Sequence, residues 1–199
     1  MPKQRKPILD RRKAAAAILA RRGEALIVAG LGAPCWDTAA AGDHPLNFYV
    51  WGGMGGAAMI GLGLALAQPR RRVIVVTGDG ELLMGLGSLA TIGVQQPRNF
   101  ALVVMDNEHY GETGMQVTHT RLGVDLSGIA KAAGFRAAAT VYAETQLKAW
   151  IPRLHRQPGP VFAAIKVTTQ PVPLVLPPRD GAHLKNRFRE ALLGSKAFE

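Results

Sequence analysis

Short apolar runs alternate with alanine- and glycine-rich stretches along most of this chain, and the alternation predicts its elements. Residues 73–77 are a continuous β-branched run, the pattern of a strand buried on both faces. Residues 25–29, 47–51, 100–106, 135–141 and 161–167 also read as strands. Helices are predicted at residues 11–22, where Asp10 caps an alanine-rich face, at 82–94, at 126–133, which stops at Gly134, and at 144–155. Residues 54–67 are apolar on every side, so the helix they form is expected to be buried all round. Residues 108–124 have no period and several glycines, which predicts a loop.

Strands alternating with helices at this spacing predict an α/β fold, a mostly parallel, doubly wound sheet flanked by helices in a single domain. The chain divides into a basic N-terminal helix at 1–24, a domain at 25–168 and a tail at 169–199. Pro171, Pro173, Pro177 and Pro178 keep the tail extended before a basic helix at 182–193. A helix that leaves the domain in this way is expected to dock on another subunit rather than on its own core.

Composition changes this picture in three respects. The chain has 23 glycines among 199 residues, well above the roughly 7% of ordinary proteins, so backbone approaches backbone, or a ligand, closely. Cys35 is the single cysteine, which excludes an internal disulfide framework and a multi-cysteine metal or iron–sulfur site and fits a reducing cytoplasm. The longest apolar stretch, residues 55–67, falls short of the ~20 residues of a membrane span. The basic N-terminus lacks the apolar core of a secretion signal, so a cytoplasmic location with no membrane contact is expected.

The net charge of +10 is uneven. Lys3, Arg5, Lys6, Arg11, Arg12, Lys13, Arg21 and Arg22 crowd the N-terminus, Arg70, Arg71 and Arg72 form a second cluster, and residues 73–147 are mildly acidic, which suits a cation. The basic ends read as solvated surface or as contact with an acidic protein. With no aromatic-interleaved basic stretch, nucleic acid is not an expected partner.

In a doubly wound sheet, ligands bind outside the carboxyl ends of the strands. Gly78-Asp79-Gly80 follows one predicted strand and precedes a helix, whose free N–H groups favour a phosphate, with Asp79 as a hard oxygen donor. Asn107 follows the strand at 100–106. If a right-handed crossover sets these strands side by side, their ends lie ~5 Å apart. One magnesium ion could then take Asp79, the Asn107 side-chain oxygen and a nearby main-chain carbonyl, leaving positions for phosphate oxygens and water. Each piece alone is commonly an ordinary turn; their pairing at two strand ends carries the reading. The segment Trp51-Gly52-Gly53-Met54-Gly55-Gly56, taken alone, reads as a tight glycine connection with Met54 filling the core.

Together these features, over residues 30–116, resemble the diphosphate-binding domain of thiamine-diphosphate-dependent enzymes. Gly78-Asp79-Gly80, twenty-six residues, then Asn107 is similar to that family's metal and diphosphate signature. The resemblance implies thiamine diphosphate and Mg2+ as cofactors, with Gly32, Gly78, Asp79, Gly80, Glu81, Asn107, Tyr110 and Gly111 around the diphosphate. It implies Met54 as the apolar wedge between the two cofactor rings, in the loop with Gly53, and the Gly52 carbonyl as acceptor from the pyrimidine amino group. Asp79, Asn107 and the main-chain oxygen of His109 are the implied metal ligands. Residues 47–49, 85–92 and 110–120 resemble sulfopyruvate and phosphonopyruvate decarboxylases within that family. That likeness implies a small 2-oxo acid substrate, with Thr118, His119 and Arg121 as candidate substrate-side groups. The sequence departs from the family pattern at Glu81, Asp106, Glu112 and Met115; a negative Glu112 would repel a sulfonate or phosphonate.

The family's chemistry also needs a Glu that activates the pyrimidine ring, and it comes from a separate pyrimidine-binding domain. No second α/β domain fits here, so the resemblance implies a partner alpha subunit in a hetero-oligomer, α2β2 or larger. The Gly- and Ala-rich cofactor edge, Trp36 and the tail helix are candidates for that contact. The expected activity is decarboxylation of a 2-oxo acid. The alternatives are a carboligase subunit resembling acetolactate synthase, or a non-catalytic cofactor-domain scaffold.

Overall fold

The apolar runs pair into one sheet because each buries side chains on both of its faces. The computed structural model describes residues 9–198; Lys3, Arg5 and Lys6, and the start of the 1–24 segment, lie outside them. In chain order the first elements are α1 (Arg11–Leu19), β1 (Leu26–Ala29), α2 (Ala33–Ala40), β2 (Asn47–Tyr49), α3 (Ala57–Ala67) and β3 (Val73–Gly78). Then follow α4 (Asp79–Met84), α5 (Ser88–Gln95), β4 (Phe100–Asp106), and a small antiparallel hairpin of β5 (His109–Tyr110) and β6 (Gln116–Val117). The chain continues through α6 (Leu126–Ala132), β7 (Ala137–Val141), α7 (Glu144–Arg156), β8 (Val161–Lys166) and α8 (Gly181–Leu193).

The main sheet has six strands in the order β2-β1-β3-β4-β8-β7, every pair parallel. Alternate residues of each strand feed two cores. Leu26, Val28, Val73, Val75, Leu102 and Val104 pack under α3, α5 and α6. Ile27, Ile74, Val76, Ala101, Val103 and Ile165 pack under α1 and α7. The predicted α/β fold with a doubly wound parallel sheet is therefore what forms. Strand order reverses between β1 and β3, which opens a crevice at their carboxyl ends.

Several local expectations are corrected. The predicted helix at 82–94 is two helices, α4 and α5, broken at Gly85-Leu86-Gly87. A Cβ on Gly85 would lie 2.2 Å from the Gly55 carbonyl oxygen, so the break is where two backbones touch. The helix predicted from residue 54 starts at Ala57, and it is not buried all round: Met59, Ile60 and Leu66 are exposed. The predicted loop at 108–124 contains the β5–β6 hairpin and two 3-10 turns. Helix α2 was not among the predicted elements; Pro34 occupies its first turn, where a missing N–H costs nothing.

The basic clusters are also less solvated than their composition suggests. Arg72 donates to the carbonyls of Leu154 (2.8 Å) and Gln157 (3.0 Å), closing the end of α7. Arg11 and Arg12 both reach the buried Asp37. The tail helix was expected to dock on another subunit rather than on its own core. Instead α8 buries Leu184 and Phe188 in this chain, and Trp51 Nε1 donates to the Pro178 carbonyl at 2.7 Å. Phe188 packs edge-on against Phe48 of β2, the edge strand, which would otherwise be more open.

Candidate cofactor site

Register places the chemistry. Gly78 pairs with Met105 across β3 and β4, so Asp79, which opens α4, and Asp106, the last residue of β4, stand side by side. Asp79 opens α4 and is buried. Beyond Asp106 the chain turns tightly: Glu108 takes a left-handed conformation (φ 63°), and the Asn107 side-chain oxygen accepts the His109 N–H at 2.9 Å. Such a backbone conformation is costly for a residue with a side chain. Two ion pairs hold it, Lys166 Nζ to Glu108 Oε1 (2.8 Å) and Arg121 to Glu108 Oε2 (3.0 Å).

A cavity of ≈ 160 Å³ opens at these strand ends. Gly78, Asp79, Gly80 and Glu81 line it after β3, and Asn107, His109, Tyr110 and Gly111 after β4. Met54 joins them from the glycine-rich connection. So Asp79 and Asn107, far apart in sequence, line one space. Gly52 and Gly53 are exposed in the connection and do not line the cavity. Gly32 lies beside it as the N-cap of α2, with a φ of 75° that a side chain would strain.

Three expected substrate-side residues stand elsewhere. Thr118 is fully buried, and its hydroxyl donates to Asp79 Oδ2 at 2.6 Å. It braces the carboxylate from below and does not face the cavity. His119 and Arg121 are exposed on the following 3-10 turn, outside the cavity lining, and Arg121 is paired with Glu108. The hairpin after Asn107 turns this segment beneath Asp79, and the sequence shows no period from which that turn could be read.

Beneath the cavity runs a buried polar chain that the sequence reading did not contain. Thr120 Oγ1 lies 2.8 Å from Asp106 Oδ1 and 3.3 Å from Asp79 Oδ2. Lys166 Nζ lies 2.8 Å from Asp106 Oδ2. Burial pulls the Lys166 ammonium down, but Asp106 and Glu108 outweigh it and hold it above its ordinary value. The one available signal was Lys166 itself, a lone charge closing the apolar strand Val161–Lys166. For Asp79, burial and then the nearby Asp106 carboxylate push the carboxyl up to about 7, against the hydrogen bonds from Thr118 and Thr120.

Glu81 is buried, and burial also raises its carboxyl. It does not act as a free anion in the cavity. Its Oε1 accepts the Ala57 N–H at 3.1 Å and its Oε2 accepts from Thr77, which ties the start of α3 to β3. Gly80 is required for a related reason. A Cβ there would come within 2.6 Å of the Tyr110 ring, which lies directly on it.

The donor set fits a divalent ion carrying a diphosphate. Asp79 and Asn107 offer hard oxygens into one space, while the neighbouring buried Asp106 and Glu108 are paired with Lys166 and Arg121. Residues 33–165 match the family described as thiamine pyrophosphate enzyme, C-terminal TPP binding domain. The chain belongs to that family. It is 40% identical to the sulfopyruvate decarboxylase subunit beta of Methanocaldococcus jannaschii over 169 residues, 84% of this chain and 88% of that one. It is 44% identical to the phosphonopyruvate decarboxylase of Streptomyces viridochromogenes over 114 residues, 57% of this chain but only 28% of the enzyme. The benzoylformate decarboxylase of Polynucleobacter necessarius shares the fold, with a TM-score of 0.67 at 20% identity over 87% of this chain and 36% of that one. As a thiamine pyrophosphate family member, the chain thus corresponds in length to a beta subunit and to a fraction of the longer enzymes. Among the described residues no helix is long and apolar enough to cross a membrane.

Proposed function

We propose that this chain is the cofactor-anchoring subunit of a thiamine-diphosphate- and Mg2+-dependent 2-oxo acid decarboxylase, completed by a partner alpha subunit. The observation that carries the reading is the convergence of Asp79, Asn107 and Met54 on one cavity at the ends of adjacent strands. When bound, the cofactor supplies the electron sink that lets a 2-oxo acid lose carbon dioxide. This chain's residues bind and orient it. Asp79, the Asn107 side-chain oxygen and the His109 carbonyl hold the metal and, through it, the diphosphate. Thr118 and Thr120 fix the Asp79 carboxylate, so the site loses little entropy on binding. Met54 supplies the apolar surface at the ring end, and the Gly52 carbonyl is available to the pyrimidine amino group. Glu81 fixes that loop's exit through the Ala57 N–H.

The activating Glu comes from the partner. Glu81 cannot serve, because both its oxygens are committed to Ala57 and Thr77. The partner docks on the side of α3 where Met59, Ile60 and Leu66 are exposed. Met54, which lines the cavity, lies in the connection leading into α3, so a subunit seated on this helix would come close to the cofactor. The assembly is an α2β2 or larger hetero-oligomer. Co-expression with the alpha subunit, followed by assay against a panel of 2-oxo acids, tests the reading. Carbon dioxide and free aldehyde should appear only with the complex, thiamine diphosphate and Mg2+. Acyloin as main product would assign the chain to a carboligase, and turnover by the single chain would refute the shared site.

A further inference from the structure

The cavity carries a cation that none of the cofactor assignments uses. Arg11, in the first turn of α1, is the one Lys or Arg among the described residues lining it. Its Nη1 donates to Asp37 Oδ2 at 3.1 Å, and its side chain is 12% exposed while that of Asp37 is 1% exposed. Arg12 donates to the other oxygen of the same carboxylate at 3.2 Å. Two guanidiniums therefore share one carboxylate, and the buried Nη2 of Arg12 has no hydrogen-bond partner. Arg11 also attracts Glu112, which lines the same cavity together with Asp79, Glu81, neutral polar groups and apolar side chains. A buried N–H without a partner is costly, and a guanidinium held at a cavity edge is well placed to receive an anion.

We infer that Arg11 reads the persistent acidic substituent of a dianionic 2-oxo acid, such as a sulfonate, and so determines specificity. The inference rests on the decarboxylase reading and extends it to the substrate's second charge. Decarboxylation removes the charge of one carboxylate. A guanidinium paired with that leaving carboxylate would stabilise the ground state and slow the reaction. Pairing with an anion that survives the reaction binds substrate and transition state alike, which lowers KM and leaves kcat nearly unchanged. The competing charge is Glu112. Burial raises its carboxyl and Arg11 pulls it back, so the two side chains oppose each other at the cavity rim. Arg11 thus offsets the repulsion that Glu112 would exert on a second anion. Asp37 keeps the guanidinium in place, and Arg12 keeps Asp37 paired if Arg11 is replaced.

The test uses the complex with its alpha subunit, loaded with thiamine diphosphate and Mg2+. Arg11→Gln should raise KM for sulfopyruvate about tenfold or more while kcat and KM for pyruvate change less than about twofold. Arg11→Lys should recover part of the loss. Glu112→Gln, at an exposed position, should move KM for sulfopyruvate in the opposite direction. Equal losses on both acids, an unchanged KM, or a loss confined to thiamine diphosphate affinity would overturn the inference. If the wild-type complex decarboxylates neither acid, the decarboxylase reading fails separately. The inference is then decided by binding of 3-sulfopropanoate, which lacks the keto group. Thermal stabilisation of wild type but not of Arg11→Gln supports it, and equal stabilisation, or none, overturns it.

Discussion

Replacing Asp79 by Asn should strengthen the folded chain while removing its metal-dependent affinity for the cofactor. The side chain is 2% exposed, and burial beside Asp106 holds its carboxyl at about 7 rather than at the model-peptide value of 3.8. That rise means that ionising it in the folded chain costs roughly 4 kcal/mol more than in the unfolded chain. A carboxyl raised by folding contributes its stabilisation below the unfolded value, near pH 4, and loses it as pH climbs through 7. At pH 8 the metal-free chain therefore bears the full cost. Asn is nearly isosteric and still accepts from Thr118 and Thr120. With relaxation allowed for, Asp79→Asn should gain about 1–3 kcal/mol in urea unfolding at pH 8 without Mg2+, and the gain should shrink toward pH 5. Thiamine diphosphate titrated into the complex at fixed Mg2+ should show no metal-dependent binding by the variant. Unfolding at lower urea than wild type at pH 8, or retained metal-dependent affinity, would refute the reasoning. Stability traded for a binding charge is what a functional carboxylate pair entails.

Three further outcomes follow from other parts of the molecule. Leu66→Glu, at an α3 position that is 50% exposed, should leave the chain's own stability within about 0.5 kcal/mol. The same change should weaken capture of the alpha subunit at least about tenfold, read by titration of one subunit into the other. Gly93→Ala places a Cβ 1.6 Å from the Ala133 carbonyl oxygen, so α5 and α6 must separate, and unfolding should shift by about 1–3 kcal/mol. His155 hydrogen-bonds the Ile18 carbonyl at 2.9 Å, and burial, above all, lowers its pKa below 6.5. Its contribution is complete above the unfolded value and is lost as pH falls below it. Wild type should thus lose more stability than His155→Gln between pH 7.5 and pH 5.5 in paired urea melts.

How much was legible in the sequence differs from element to element. The strand at 73–77 declared itself because a β-branched run leaves no amphipathic alternative. Gly78-Asp79-Gly80 and Asn107 were legible because a parallel strand pair fixes where each strand ends, and the register of Gly78 against Met105 delivers them together. Helix α2 was hidden because Pro34 signals both a loop and a helix start. The break between α4 and α5 was hidden because the contact that causes it, Gly85 against Gly55, joins residues thirty apart.

By itself, then, the sequence determined the period of most strands and of the longer helices, the layering of the domain and the residue types at two strand ends, since these depend on near neighbours along the chain. Tertiary structure alone decided that Thr118 sits beneath Asp79, that Lys166 balances Asp106 and Glu108, that Glu81 ties down α3, and that Arg11 reaches the cavity. Each of these joins residues from separate elements. Charges and hydroxyls carry no periodic mark of the partner they will meet, so only packing of the whole sheet brings them within hydrogen-bonding reach.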